Sequence, residues 1–169
     1  MNNFIYENKT KVYFGKGCVK EYLTCLLKQY GNNVMFAYGG GSVKKNGVYT
    51  ELMGYLNAAE KTVTEFSGIM SNPTYAKVQE GAKLARENRS DLILAVGGGS
   101  VIDCCKMISA QAKTDKDIWN MELEQHTYPS SFVPMIAIVT ASGTGAEMNN
   151  GAVITNEEKK IKGGLLGAQ

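Results

Sequence analysis

One pattern occurs twice in this chain. Val34 to Lys45 reads VMFAYGGGSVKK, and Leu92 to Asp103 reads LILAVGGGSVID. Each copy opens with an unbroken apolar run, short enough to be a strand buried on both faces. Each then passes through Gly-Gly-Gly-Ser-Val into residues that suit a helix. In the second copy Ser100 is placed to cap that helix, and Asp103 to reach back to the cap in a variant of the capping box. A helix that starts straight after a glycine turn presents free backbone N–H groups and the positive end of its dipole, which suits a phosphate. The plainer alternative is a glycine-rich turn that binds nothing. Three adjacent glycines are costly to order, which weighs against it. The repeat could be coincidence, since glycine follows many parallel strands. Two such units would nevertheless set two helix N-termini along one edge of a parallel sheet.

The rest of the chain alternates in the same way. Residues 4 to 14 read as extended, with Val12-Tyr13-Phe14 as the expected strand. Val19, Tyr22, Leu23, Leu26, Leu27 and Tyr30 recur at helical spacing over residues 18 to 30. A helix is expected from about Lys44 to Ala58, weakened by Gly47 and Gly54. Thr62 to Phe66 is β-branched and short, so it is another strand. Pro73 suits the first turn of a helix over 73–88. There follow strand 92–96, helix 100–113, a short helix from Asp117 to Met121 and strand Met135 to Val139. The tail from Ala152 to Gly163 reads as a hairpin around Asn156-Glu157-Glu158. This order predicts an α/β fold: a doubly wound, mostly parallel, Rossmann-like sheet with helices on both faces. Ligands of such sheets bind beyond the carboxyl ends of the strands. A length of 169 residues suits one domain with a proper core.

Net charge is only +2, so nothing points to nucleic acid or to an anionic membrane. No apolar run has the length of a transmembrane helix. Met1 to Glu7 lacks the basic and apolar regions of a signal peptide, which makes a cytoplasmic location the default expectation. Cys18, Cys25, Cys104 and Cys105 form no C-x-x-C pair and read as reduced packing residues.

Neither copy has the G-x-G-x-x-G spacing of the common dinucleotide fingerprint. A backbone cradle for a diphosphate is still physically sound at Gly98, Gly99 and Ser100. In the first copy, where an NAD site would place an acid for the ribose hydroxyls, the chain has Gly39-Gly40-Gly41-Ser42 followed by Lys44 and Lys45. An absent acid and two bases favour a ribose 2′-phosphate, hence NADP over NAD. The two lysines could equally be a solvated helix face. Thr140-Ala141-Ser142-Gly143-Thr144-Gly145-Ala146-Glu147 follows a strand and offers hydroxyls to ribose, amide or phosphate. Thr144 with Glu147 could also be no more than a helix cap. His126, the only histidine, lies in a polar loop. No residues show metal-ligand spacing and no nucleophile has a base in sight, so no catalytic residue is assigned.

Gly97-Gly98-Gly99-Ser100-Val101-Ile102-Asp103, the Asn72-Pro73 loop and the Thr140-to-Glu147 segment together resemble the N-terminal domain of iron-containing alcohol dehydrogenases. Phe14-Gly15-Lys16-Gly17 is similar to that family too. Gly39-Gly40-Gly41-Ser42-Val43-Lys44-Lys45 most resembles its butanol dehydrogenase and aldehyde reductase branch. The resemblance covers essentially the whole chain. It implies residues 1–169 as a dinucleotide-binding domain, the family's helical metal-binding domain being absent from this chain. It implies NADP, with NAD admissible, as cofactor and a small alcohol or aldehyde as substrate. Fe or Zn is expected only in the full-length parent, and a homodimer is compatible with all of this. Gly98, Gly99 and Ser100 would hold the pyrophosphate, with Asp103 beside the nicotinamide. Thr140, Ser142 and Thr144 would line the cofactor, Lys162 would approach its ribose, and Gly39 to Ser42 would decide NAD against NADP. Two other readings stand beside this one: a nucleotide- or phosphate-binding module without catalysis, and glycerol-1-phosphate or 3-dehydroquinate chemistry, whose enzymes share GGGS-x-x-D.

Overall fold

The computed structural model describes Ile5 and residues 8–166. Four parallel strands form the sheet: β1 (Asn33–Tyr38), β2 (Thr62–Phe66), β3 (Leu92–Gly97) and β4 (Met135–Val139), in the order β2-β1-β3-β4. β1 and β3 are central, and both glycine turns leave from their carboxyl ends. All six residues of β3 and the last five of β1 are buried, as their unbroken apolar runs require. Each large side chain so buried contributes about 1.5–3 kcal/mol.

Alternate residues of these strands serve two cores. Val34, Phe36, Leu92, Leu94 and Val96 face one side, with Leu23 and Leu27 of α1 (Cys18–Leu27) and Leu52 and Leu56 of α3 (Val48–Ala58). Met35, Ala37, Ile93 and Ala95 face the other. There they meet α4 (Tyr75–Glu87), α5 (Gly99–Gln111), α6 (Ile118–Leu123) and the antiparallel hairpin β5 (Gly151–Asn156) and β6 (Ile161–Leu166). Helices therefore cover both faces, as expected of a doubly wound sheet. The chain runs outward from β1 to β2 and returns across it to β3, so the strand order reverses between β1 and β3. Crevices form at such a switch point, outside the strand ends. Among the described residues no helix is long and apolar enough to cross a membrane.

Three local expectations are corrected. The helix expected from Lys44 to Ala58 is two helices, α2 (Ser42–Lys45) and α3, because Gly47 takes φ +82° between them. Pro73 is not in the first turn of α4. It precedes the cap residue Thr74, whose hydroxyl accepts from the Lys77 N–H at 3.2 Å. Val12-Tyr13-Phe14 joins neither sheet. Val12 and Phe14 are exposed, and the Tyr13 ring instead packs at a tilt against that of Tyr22 in α1, with 4.8 Å between centroids. Phe4, Tyr6 and Glu7 of that extended stretch lie outside the described residues.

Candidate functional site

The two glycine turns meet at the switch point. Tyr38 pairs with Val96, so Gly39 and Gly97 leave the sheet at the same level. A Cβ on Gly97 would lie 2.5 Å from Val101 Cγ2, so packing alone demands glycine there. Gly99 is closed in the same way by the Thr144 side chain. Gly98 differs. Its backbone (φ −87°, ψ −170°) suits any residue, and a Cβ would meet nothing nearer than Ala141 Cβ at 3.7 Å. Neither backbone nor packing asks for glycine at 98, and the space a side chain there would take is open. Gly40 is open as well, with no atom within 4 Å of a built Cβ.

Gly98 is the cap residue of α5. Its carbonyl accepts from the N–H groups of Val101 and Ile102 at 3.1 and 3.2 Å. The N–H groups of Gly99 and Ser100 come before those bonds and have no partner within the helix. The capping box expected of Ser100 and Asp103 is absent. With the cap at Gly98, Asp103 sits five residues along, past the third position a capping box needs. Ser100 Oγ donates instead to the Ser71 carbonyl at 2.5 Å, fastening α5 to the loop before α4. Asp103 Oδ2 accepts from the Val153 N–H at 3.0 Å, and Oδ1 lies 4.0 Å from Lys106 Nζ. Burial pushes the Asp103 carboxyl above the usual carboxylate range, against the pull of Val153 and Lys106. Lys106 is itself buried and donates to the Gly151 carbonyl at 2.7 Å and to Asn149 Oδ1 at 3.2 Å. Burial lowers its pKa, while Asp103 and Glu147 oppose that.

The segment after β4 folds over the second turn. Thr140 N–H donates to the Gly97 carbonyl at 3.0 Å, and Thr140, Ser142 and Thr144 are exposed along that edge. Thr144 does not cap a helix with Glu147. A 3-10 turn, Ala146–Met148, starts from Gly145, and Thr144 Oγ1 only accepts from the Ala146 N–H at 3.3 Å. Lys162 of β6 donates to Asn72 Oδ1 at 2.9 Å. The hairpin is held there because Thr155 N–H, paired with Lys162, donates to the Pro73 carbonyl at 3.0 Å.

The first turn is built differently. Gly41 takes φ +98°, and Ser42 and Lys45 are exposed. Lys44 is not free. Its Nζ lies 3.3 Å from Glu65 Oε2, 4.6 Å over the Tyr49 ring and 5.4 Å over the Tyr38 ring. Glu65 also accepts from Tyr38 Oη at 2.6 Å and from Tyr49 Oη. These two hydroxyls, with Lys44, hold its carboxyl below the usual range. Residues 39–42 do lack an acid, yet Glu65, one residue from the end of β2, puts one on Tyr38 and Lys44, which flank them.

The structure thus gathers Gly39 to Ser42, Gly98 to Ser100, Thr140 to Thr144 and Lys162 around the carboxyl ends of β1 and β3. Asp103 stands behind them on the hairpin side. His126 is exposed and apart, and the described residues hold no His, Cys, Asp and Glu group able to bind a metal. Sequence reasoning missed Ser71, Lys106, Asn149, and the Glu65–Tyr38–Tyr49 set. The one available signal was an acid, Glu65, in a strand after a glycine turn.

The four-stranded parallel sheet, with its reversal between β1 and β3 and helices on both faces, is that of a Rossmann-like α/β domain. The chain belongs to the iron-containing alcohol dehydrogenase family, whose model matches residues 9–168. It is 47% identical over 164 residues to a probable NADH-dependent butanol dehydrogenase 1 of Bacillus subtilis (strain 168), covering 97% of this chain and 42% of that protein. It is 38% identical over 161 residues to the NADPH-dependent aldehyde reductase YqhD of Escherichia coli (strain K12), covering 93% and 40%. Among solved structures, NADH-dependent butanol dehydrogenase A from Thermotoga maritima superposes with a TM-score of 0.91 at 38% identity, covering 98% of this chain and 42% of that one. The chain therefore spans about two fifths of the length of these relatives.

Proposed function

We propose that these residues are the dinucleotide-binding part of an NAD(P)-dependent alcohol dehydrogenase acting on a small alcohol or aldehyde such as butanol or butanal. The observation that carries this is the open seat at Gly98, a glycine its own fold does not need, before the first N–H groups of α5. Gly98, Gly99 and Ser100 hold the pyrophosphate, and Thr140, Ser142 and Thr144 hydrogen-bond along the nicotinamide half. Asp103 stands behind that half, and Lys162, steadied by Asn72, approaches a ribose. Gly39 to Ser42 meet the adenosine ribose. Of the two lysines expected to favour NADP, Lys45 is exposed while Lys44 is engaged by Glu65, so NADPH is favoured less than the sequence suggests. The relatives' names divide between the two cofactors in the same way. When bound, a nicotinamide would supply hydride exchange, and a metal, which the described residues hold no group to bind, would supply Lewis-acid polarisation of the substrate oxygen. The chain's own part is to bind and orient the dinucleotide.

This division of labour is tested by assaying the 169-residue chain with butanal, NADH or NADPH, and added Fe²⁺ or Zn²⁺, alongside a binding titration. Dinucleotide binding without turnover above a protein-free blank is expected. Turnover would place a complete metal site within these residues and contradict the proposal.

A further inference from the structure

We infer that Glu65, acting through Lys44, sets the choice between the two dinucleotides by holding the Lys44 ammonium away from a ribose 2′-phosphate. This rests on the dinucleotide reading above and names a residue that governs its selectivity.

Four groups carry the inference. Lys44 lies two residues after Ser42, the end of the first glycine turn, and belongs to α2, the helix that follows the carboxyl end of β1. Glu65 lies at the carboxyl end of β2, where dinucleotide folds place the acid that meets the adenosine ribose. Here that acid is turned to its own neighbours. Phe36 pairs with Glu65, on the face of the sheet that also carries Tyr38, so the carboxylate meets Tyr38, Tyr49 and Lys44 together. The two rings form a corner: Tyr49 stacks on Phe36 at 5.5 Å, and Tyr38 meets Tyr49 edge-on at 6.0 Å. Lys44 lies over both. The ammonium is thus held three ways, by one carboxylate and two ring faces.

A surface ion pair alone is weak. Two tyrosine hydroxyls, however, fix the Glu65 carboxylate in place, so the lysine meets a partner that need not be ordered. The side chain of Lys44 is still half exposed. It can leave for a 2′-phosphate, but only by giving up the carboxylate. NADH has no such phosphate and asks nothing of Lys44. Glu65 therefore weakens NADPH binding selectively and keeps NADH competitive with it. Glu65 is a positioning residue: it acts on the cofactor through Lys44.

The test is a double-mutant cycle on the dissociation constants of NADH and NADPH at one low salt concentration. Glu65→Gln removes the charge and keeps one acceptor oxygen for a tyrosine hydroxyl, its amide N–H groups facing the oxygen of the other. It should tighten NADPH about tenfold, the worth of one charge-assisted contact, and leave NADH within about threefold. Lys44→Met in the native background should change both little. In the double variant the NADPH gain should vanish. A gain that persists without Lys44 would show Glu65 acting as a bare charge and overturn the inference. An unmoved ratio in Glu65→Gln would overturn it too, while the dinucleotide reading survived. If the native protein binds neither cofactor, that reading fails first. A loss of folding would weaken both cofactors equally, and thermal unfolding of each variant identifies it. Lys44→Met, at a half-exposed position, then carries the cycle in the reverse sense with Glu65→Asp, where retention of the native ratio is expected and a tenfold rise in NADPH affinity contradicts the inference.

Discussion

The two Gly-Gly-Gly-Ser-Val copies begin alike and end in different structures. After the second, Val101 to Gln111 continues as a thirteen-residue helix from Gly99 with ten buried residues. After the first, Ser42-Val43-Lys44-Lys45 makes a four-residue helix that stops at Asn46-Gly47. The turn sequence is shared, and the residues after it decide the outcome. An apolar continuation is drawn between α4, the sheet and the hairpin, and it fixes α5 from all sides. A basic continuation with Asn-Gly stays at the surface. The second unit is therefore tightly built, and the proposed function gives it the pyrophosphate that both dinucleotides share. The first is exposed and charged, and the same proposal gives it the ribose at which they differ.

The contrast is broken most severely at Gly97. Its valine variant must displace Val101 and should lose about 3 kcal/mol of stability, measured by urea unfolding. Gly40→Ala, which fills open space in the other unit, should stay within about 0.5 kcal/mol. Equal losses would mean that the second seat is no more tightly built than the first. Gly39→Asp is a poor probe of cofactor choice, since its Cβ would already press on the Ile69 carbonyl at 3.1 Å.

The cations sharpen the same difference. Lys106→Met removes the lysine donor from the Gly151 carbonyl and leaves Asn149 Oδ1 only the Gly151 N–H, and should cost about 2 kcal/mol. Lys45→Met, exposed in the first unit, should be nearly neutral in the same unfolding assay. The smallest effect is in pH dependence. Burial raises the Asp103 pKa in the folded state, so folding is favoured where the group is protonated. Its contribution is lost as pH rises from the unfolded value through the folded one. Asp103→Asn, with its side-chain oxygen still able to accept from Val153, should flatten the decline in urea midpoint as pH rises above the ordinary aspartate pKa. An unchanged slope would show that Asp103 does not contribute to it.

Much of this was legible in the residues. The apolar runs Val34 to Tyr38 and Leu92 to Val96 are the central strands, and the turn at Asn156 to Glu158 does join a hairpin. These are local signals, set by composition and period over a few residues. The parts that were not legible depend on distant partners. Ser100 chooses the Ser71 carbonyl over its own helix, and Asp103 chooses Val153, fifty residues on. Lys106 reads as a polar position on a helix, yet Asn149 and Gly151 let it be buried. Lys44 reads as free until Glu65, twenty-one residues away, is folded beside it. Val12 to Phe14 has the propensity of a strand and finds no edge to pair with among the described residues.

The central claim is that the space before Gly98 seats the pyrophosphate of a nicotinamide dinucleotide. Calorimetric titration of the native protein and of Gly98→Val with NADH tests it directly. A valine side chain at this position tolerates the extended backbone, and its Cβ meets Ala141 only at ordinary contact distance, so stability should change by less than about 1 kcal/mol. The branched side chain would nevertheless block the approach of a diphosphate to the Gly99 and Ser100 N–H groups. Losing two such charge-assisted contacts predicts about a hundredfold weaker binding. Native one-to-one binding that survives unchanged in Gly98→Val would contradict the account.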